Sequence, residues 1–88
     1  MKIWIVEDEA PQRMLLCDLV RQACGKHGVK ADIVALESGA SLTNAYPPGA
    51  DLLLLDIDMP GINGMDAAHI SRQKDERVLI AFCTNLVS

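Results

Sequence analysis

Four positions carry the chemistry legible in this chain: the acidic pair Glu7 and Asp8, then Asp56, then Thr84. Each stands at or just past the end of a short apolar run. The plainest case is Asp51-Leu52-Leu53-Leu54-Leu55-Asp56-Ile57-Asp58-Met59-Pro60, four leucines closed by acids and a proline. A continuous apolar run between breakers suits a strand buried on both faces of a parallel sheet. In open parallel sheets, ligands bind beyond the carboxyl ends of the strands. Asp56 is delivered to that edge, and Glu7, Asp8 and Thr84 join it if their strands run the same way. Carboxylates crowded together repel, which raises a pKa or recruits a cation. Hard oxygen donors with room for water suit Mg2+, which typically takes one or two carboxylates and a phosphate oxygen. Asp56 could then act as a nucleophile toward a phosphoryl group.

The elements that must position these groups follow from the apolar pattern. Ile3-Trp4-Ile5-Val6 reads as a first strand and Ile33-Val34-Ala35-Leu36 as a second. The leucine run, ~51–56, is the third, and Val78-Leu79-Ile80-Ala81-Phe82 the fourth. Between them, Leu15, Leu16, Leu19, Val20 and Ala23 recur at helical spacing and predict a helix over ~10–24, opened by Pro11 and stopped by Gly25 and Gly28. Ser38 is the expected N-cap of a short helix, ~39–45, which Tyr46-Pro47-Pro48-Gly49 ends. Asn63 is the expected cap of a third, ~64–73, with a weak apolar stripe of Met65, Ala68 and Ile70. The order is βαβαβαβ, which implies an α/β fold with a doubly wound parallel sheet.

Composition narrows the function. Eighty-eight residues make one small domain, and with three aromatic side chains its core must be aliphatic. A net charge of -4 argues against nucleic-acid binding through these residues, because phosphate contacts need a basic stripe. No stretch has the roughly eighteen apolar residues of a membrane span, and Glu7-Asp8-Glu9 comes too early for a signal peptide. Cys17, Cys24 and Cys83 do not form a disulfide framework and are expected as reduced thiols in a cytoplasmic protein. His27 and His69 have no ligand spacing and are expected at the surface. Trp4 is expected in the core, and Met14, Met59 and Met65 in core or loop packing.

Taken together, Glu7-Asp8 closing strand one, Asp56 closing strand three, Met59-Pro60 and Gly64 behind it, and Thr84 closing strand four resemble the receiver domain of two-component response regulators. The resemblance runs along the whole chain. It implies a flavodoxin-like receiver fold with strand order 2-1-3-4 and a phosphorelay role in which Asp56 accepts a phosphoryl group from a sensor histidine kinase. It further implies Mg2+ held by Asp8, Asp56 and the backbone carbonyl of Asp58, with Glu7 acting through water. The side chain of Asp58 is then expected in solvent. Thr84 would be the switch hydroxyl and Gly64 would allow the turn behind the site. The texture of Leu55-Asp56-Ile57-Asp58-Met59-Pro60-Gly61-Ile62-Asn63-Gly64-Met65, with Phe82-Cys83-Thr84-Asn85-Leu86, is most similar to transcriptional regulators carrying a LytTR-type DNA-binding output. DNA contact would then belong to a further domain.

The sequence departs from that family in one respect. Receivers continue to a fifth strand ending in a lysine and then to last helices, and Lys2, Lys26 and Lys74 do not match that lysine's place. Residues 1–88 are therefore expected to be an incomplete receiver domain, with strand four as an apolar edge that a homodimer or a domain-swapped dimer would cover. Two other functions stay open at this level. One is a receiver-like interaction module that is never phosphorylated. The other is a haloacid-dehalogenase-like phosphatase using Asp56 and Asp58, against which stand Pro60 and the place of the motif on the third strand. The leading expectation is a phosphoacceptor and not an enzyme.

Overall fold

The computed structural model describes residues 1–44, 46 and 49–83. Seven elements alternate in the expected order: β1 (Lys2–Val6), α1 (Ala10–Lys26), β2 (Asp32–Leu36), α2 (Gly39–Asn44), β3 (Leu52–Asp56), α3 (Gly64–Lys74) and β4 (Leu79–Cys83). The strands form one parallel sheet in the order β2-β1-β3-β4. Ile3 pairs with Ile33 on one side and Leu52 on the other, while Asp56 lies opposite Cys83. The alternating pattern predicts the doubly wound parallel sheet, and the strand order is the flavodoxin-like 2-1-3-4 that the family resemblance implies.

Side chains alternate across the strands and build two cores. On one face Ile3, Ile5 and Cys17 are buried together, with Leu16, Val20 and Ile33 packed against them from α1 and β2. On the other, Val6, Leu53, Leu55 and Val78 meet Leu42 of α2 and Ala67 of α3. Trp4 is only half-buried, packed against that second core. Among the described residues, no helix is long and apolar enough to cross a membrane.

Local signals account for the helix ends. The Ser38 hydroxyl accepts the Ser41 amide at 3.0 Å, and the Asn63 Oδ1 accepts that of Asp66 at 2.9 Å, each satisfying an N–H that has no partner within the helix. Helix α1 runs through Gly25 to Lys26, two residues beyond its expected end. The stop is Gly28, whose φ of 69° only glycine adopts without strain, and the Val29 amide folds back to the Cys24 carbonyl at 2.8 Å.

Four packing expectations are corrected. Helix α3 docks chiefly through Gly64, Ala67 and Ser71; of the expected stripe Ala68 packs half-buried against the core and Ile70 is half-buried, whereas Met65 is 56% exposed. Small residues let this helix approach β3 closely, so its buried face carries almost no hydrophobic signal. Met14 is likewise exposed, whereas Met59 is buried as expected. Within the leucine run, Leu53 and Leu55 are fully buried, but Leu52 and Leu54 only partly, because α1 reaches across β1 and β2 and leaves that half of its face less covered. On α1 itself Leu15 and Leu19 stay half in solvent. Leu79 and Phe82 on β4, the last strand of the sheet among the described residues, are exposed.

Candidate functional site

Parallel register brings the ends of β1 and β3 side by side, so residues about fifty positions apart share one rim. One carboxylate oxygen from each of Glu7, Asp8 and Asp56 lies within 4.8 Å of the other two. Glu7 and Asp56 are buried, at 2% and 3% exposure, so two acids face each other with little water between them and bulk solvent. That is costly unless a proton or a cation intervenes. Burial and the neighbouring acids favour the protonated form of one of them. Glu7 is pushed up from 4.5 to about 7, chiefly by burial, opposed by the Glu9 amide and reinforced by Asp56 as hydrogen-bond partner and as charge, then by Asp8. The thiol of Cys83, across from Asp56 on β4, is also pushed up, first by burial and then by the charges of Asp56 and Glu7.

The backbone around the acids is tightly held. The Glu7 amide donates to the Leu36 carbonyl at 3.0 Å, and the Glu9 amide donates to Glu7 Oε1 at 3.1 Å, which orients that carboxyl. The Asp58 amide donates to Asp56 Oδ1 at 3.3 Å. Behind the site the Ile57 amide donates to the Cys83 carbonyl at 3.2 Å and the Gly64 amide to the Ile57 carbonyl at 3.0 Å. Gly64 is where the loop closes on itself. A Cβ there would collide with the Asp56 carbonyl and sit 2.8 Å from the Ile57 Cα.

The acids predicted to converge thus do so. Glu7, Asp8 and Asp56 form one cluster, while Asp58 follows in the loop with its side chain exposed, as expected. Thr84 lies outside the described residues. The donor set, three carboxylates at hard-cation spacing plus a nearby loop backbone, fits Mg2+ in kind and number. His27 and His69 are at the surface, and the cysteines are free thiols. Lys2, Lys26, Lys30 and Lys74 all belong to the opposite rim, where strands begin and helices end.

Two contacts here had no sequence signal. The Arg13 Nη1 donates to the carbonyl of Glu7 at 2.8 Å and to that of Asp8 at 3.4 Å. Gly39, at the start of α2, packs so closely on the β3–α3 loop that a Cβ would lie 2.6 Å from the Ile62 carbonyl oxygen. A shallow cavity of about 460 Å³ lined by Tyr46, Asp51, Lys74, Asp75 and Arg77 lies at the far rim, away from the acids. Its Tyr46 hydroxyl donates to Asp75 Oδ2 at 3.0 Å.

Comparison with known proteins agrees with this geometry. The profile of the response regulator receiver domain matches residues 3–87. The positive alginate biosynthesis regulatory protein of Pseudomonas aeruginosa is 32% identical over 84 residues, which are 96% of this chain and 33% of that protein. The solved structure of response regulator protein TrrA from Thermotoga maritima, in complex with Mg2+ and BeF, is 31% identical with a TM-score of 0.79, over 94% of this chain and 68% of that one. A chain in the structure of histidine kinase ThkA with TrrA matches at 30% identity and a TM-score of 0.72, over 99% of this chain and 73% of its own. The present chain therefore spans about a third of the alginate regulator and roughly two thirds of these solved chains.

Proposed function

This chain belongs to the response regulator receiver domain family, and from that premise we propose that it is a Mg2+-dependent phosphoacceptor whose Asp56 takes a phosphoryl group from a sensor histidine kinase. The observation that carries the proposal is the meeting of the Glu7, Asp8 and Asp56 oxygens within 4.8 Å at the carboxyl rim of the sheet. Support for a kinase partner comes from the likeness to TrrA, which has been solved in complex with the histidine kinase ThkA. The likeness to TrrA in complex with Mg2+ and BeF supports the metal.

Asp8, Asp56 and the Asp58 carbonyl would hold Mg2+, with Glu7 close enough to contribute through water. Bound there, the ion supplies positive charge that offsets the carboxylates and the incoming phosphoryl oxygens. The Asp58 amide orients the Asp56 carboxylate. An Asp56 oxygen forms a bond to phosphorus while the bond from phosphorus to the donor imidazole nitrogen breaks, and that nitrogen keeps the electron pair. Thr84 would take a phosphoryl oxygen as hydrogen-bond acceptor and couple its arrival to the adjoining loop. The chain is thus a stoichiometric switch and not a turnover enzyme.

The parent protein, in the same proposal, is a cytoplasmic transcriptional regulator with a LytTR-type output. Its grounds are the sequence texture around Asp56 and Cys83, and a relative whose name is that of a positive regulator of alginate biosynthesis. Self-association through β4 also belongs to it, since Leu79 and Phe82 lie exposed on an outer strand. Incubation with Mg2+ and acetyl phosphate, followed by intact-mass measurement, tests the central claim. A gain of one phosphoryl group, absent in Asp56→Asn, is expected. Steady release of inorganic phosphate would instead indicate a phosphatase, and an unmodified chain would indicate a pure interaction module.

A further inference from the structure

We infer that Arg13 is a positioning residue for the acid cluster, acting through the backbone of the β1–α1 loop; the inference rests on the metal-binding role proposed above. Arg13 lies one turn into α1 and is half-buried, and its side chain reaches back toward the end of β1. One guanidinium nitrogen serves two consecutive carbonyls, Glu7 at 2.8 Å and Asp8 at 3.4 Å. A peptide unit is planar, so aiming a carbonyl fixes the ψ of its own residue and the amide that follows. Holding two consecutive carbonyls therefore fixes the backbone at both acids and with it the direction of their side chains. The remaining contacts agree with this. Glu7 is held from its amide side by Leu36, and its carboxyl by the Glu9 amide, so Arg13 completes the frame around one short segment.

The need for such a frame is electrostatic. Three carboxylates within 4.8 Å repel, and an unrestrained loop would relieve the repulsion by moving Asp8 outward. A loop that opens in the metal-free state must be reassembled when the cation arrives, which weakens binding. Arg13 resists that opening without entering the coordination sphere. Charge alone does not explain the arrangement, because the guanidinium is hydrogen-bonded to backbone oxygens and not to any of the three carboxylates. Among the described residues, the lysines all belong to the opposite rim.

The test uses Arg13→Met, which keeps the apolar stem and removes the donors, beside Arg13→Lys. Mg2+ affinity is measured by calorimetry, and the phosphorylation rate with acetyl phosphate at several Mg2+ concentrations. Losing a charge-assisted hydrogen bond predicts Mg2+ binding weaker by on the order of tenfold in Arg13→Met. At saturating Mg2+ its phosphorylation rate should return close to that of the native chain, because the bound ion then holds the loop. Arg13→Lys, with a point charge able to reach one carbonyl, should fall between the two. Native-like Mg2+ affinity in Arg13→Met would overturn the inference, as would a rate that saturating Mg2+ does not restore. If circular dichroism shows Arg13→Met unfolded, Arg13→Lys decides, and native affinity there overturns the inference. A native chain that binds no Mg2+ sinks the metal-site proposal and this inference with it; a native chain that binds, beside variants that bind equally well, sinks this inference alone.

Discussion

Replacing Asp56 by Asn should make the metal-free protein more stable, and the size of the gain should depend on pH. Glu7 has its carboxyl raised from 4.5 to about 7 by burial first and then by Asp56 as partner and charge. A carboxyl whose folded-state pKa exceeds its unfolded value contributes fully below about 4.5, and the contribution is lost as pH rises through 7. In that window the unfolded chain gives up its proton first, and stability falls with pH. The full shift corresponds to roughly 3 kcal/mol at 1.36 kcal/mol per unit, as an upper figure. Two charges 4.8 Å apart repel by about 3.5 kcal/mol at an effective dielectric of 20, the same order. Burial takes the largest share and survives the substitution, so Asp56→Asn should recover about 1–2 kcal/mol at pH 8. For a domain of this size that is about 5–10 °C in Tm. Near pH 5.5 Glu7 is protonated, the repulsion is gone, and the advantage should vanish. Urea and thermal unfolding of both proteins in chelator, at pH 5.5 and 8, measure it directly. Added Mg2+ should stabilise the native chain and leave Asp56→Asn nearly unmoved. The reasoning fails if Asp56→Asn is less stable than the native chain at pH 8, or if the difference does not change with pH.

Other expectations follow from packing. Gly64→Ala places a Cβ against the Asp56 carbonyl and 2.8 Å from the Ile57 Cα, so it should cost about 2–3 kcal/mol in urea unfolding. Gly25→Ala, inside α1 with nothing within 4 Å of its added methyl, should gain about 0.5–1 kcal/mol in the same assay. The Ser71 hydroxyl is buried without a hydrogen-bond partner among the described residues, so Ser71→Ala should be neutral or raise stability by up to about 1 kcal/mol, read from the urea midpoint. Tyr46, the only tyrosine, is pushed up to about 12 by burial and then by Asp75. Its phenolate absorbance in the folded protein should therefore stay absent through pH 10 and rise only near 12. An onset close to 10 would show that Tyr46 does not sit beside Asp75.

The alternation of strands and helices, their order, and the identity of the acidic cluster are readable from the chain itself. Local chemistry is enough for that. Four leucines bounded by breakers can hardly be anything but a central strand, and Ser38 and Asn63 announce their helices by the cap they form. Convergence of Glu7, Asp8 and Asp56 follows once all strands are parallel, because every strand then ends on one rim.

What needed the folded molecule is whatever depends on distance between segments or on small side chains. The docking face of α3 is glycine, alanine and serine, which carry little hydrophobic signal yet allow the closest approach to β3. Leu15 and Leu19 look as apolar as Leu16, and only the orientation of α1 over β1 and β2 leaves them half in solvent. The raised pKa of Glu7 and the grip of Arg13 on two backbone carbonyls arise from burial and reach, and no residue type or spacing announces either. Sequence by itself named the groups able to do chemistry and the edge where they gather. Tertiary structure decided how close they stand and how little water reaches them, and those two quantities determine whether the cluster keeps a proton or takes a cation.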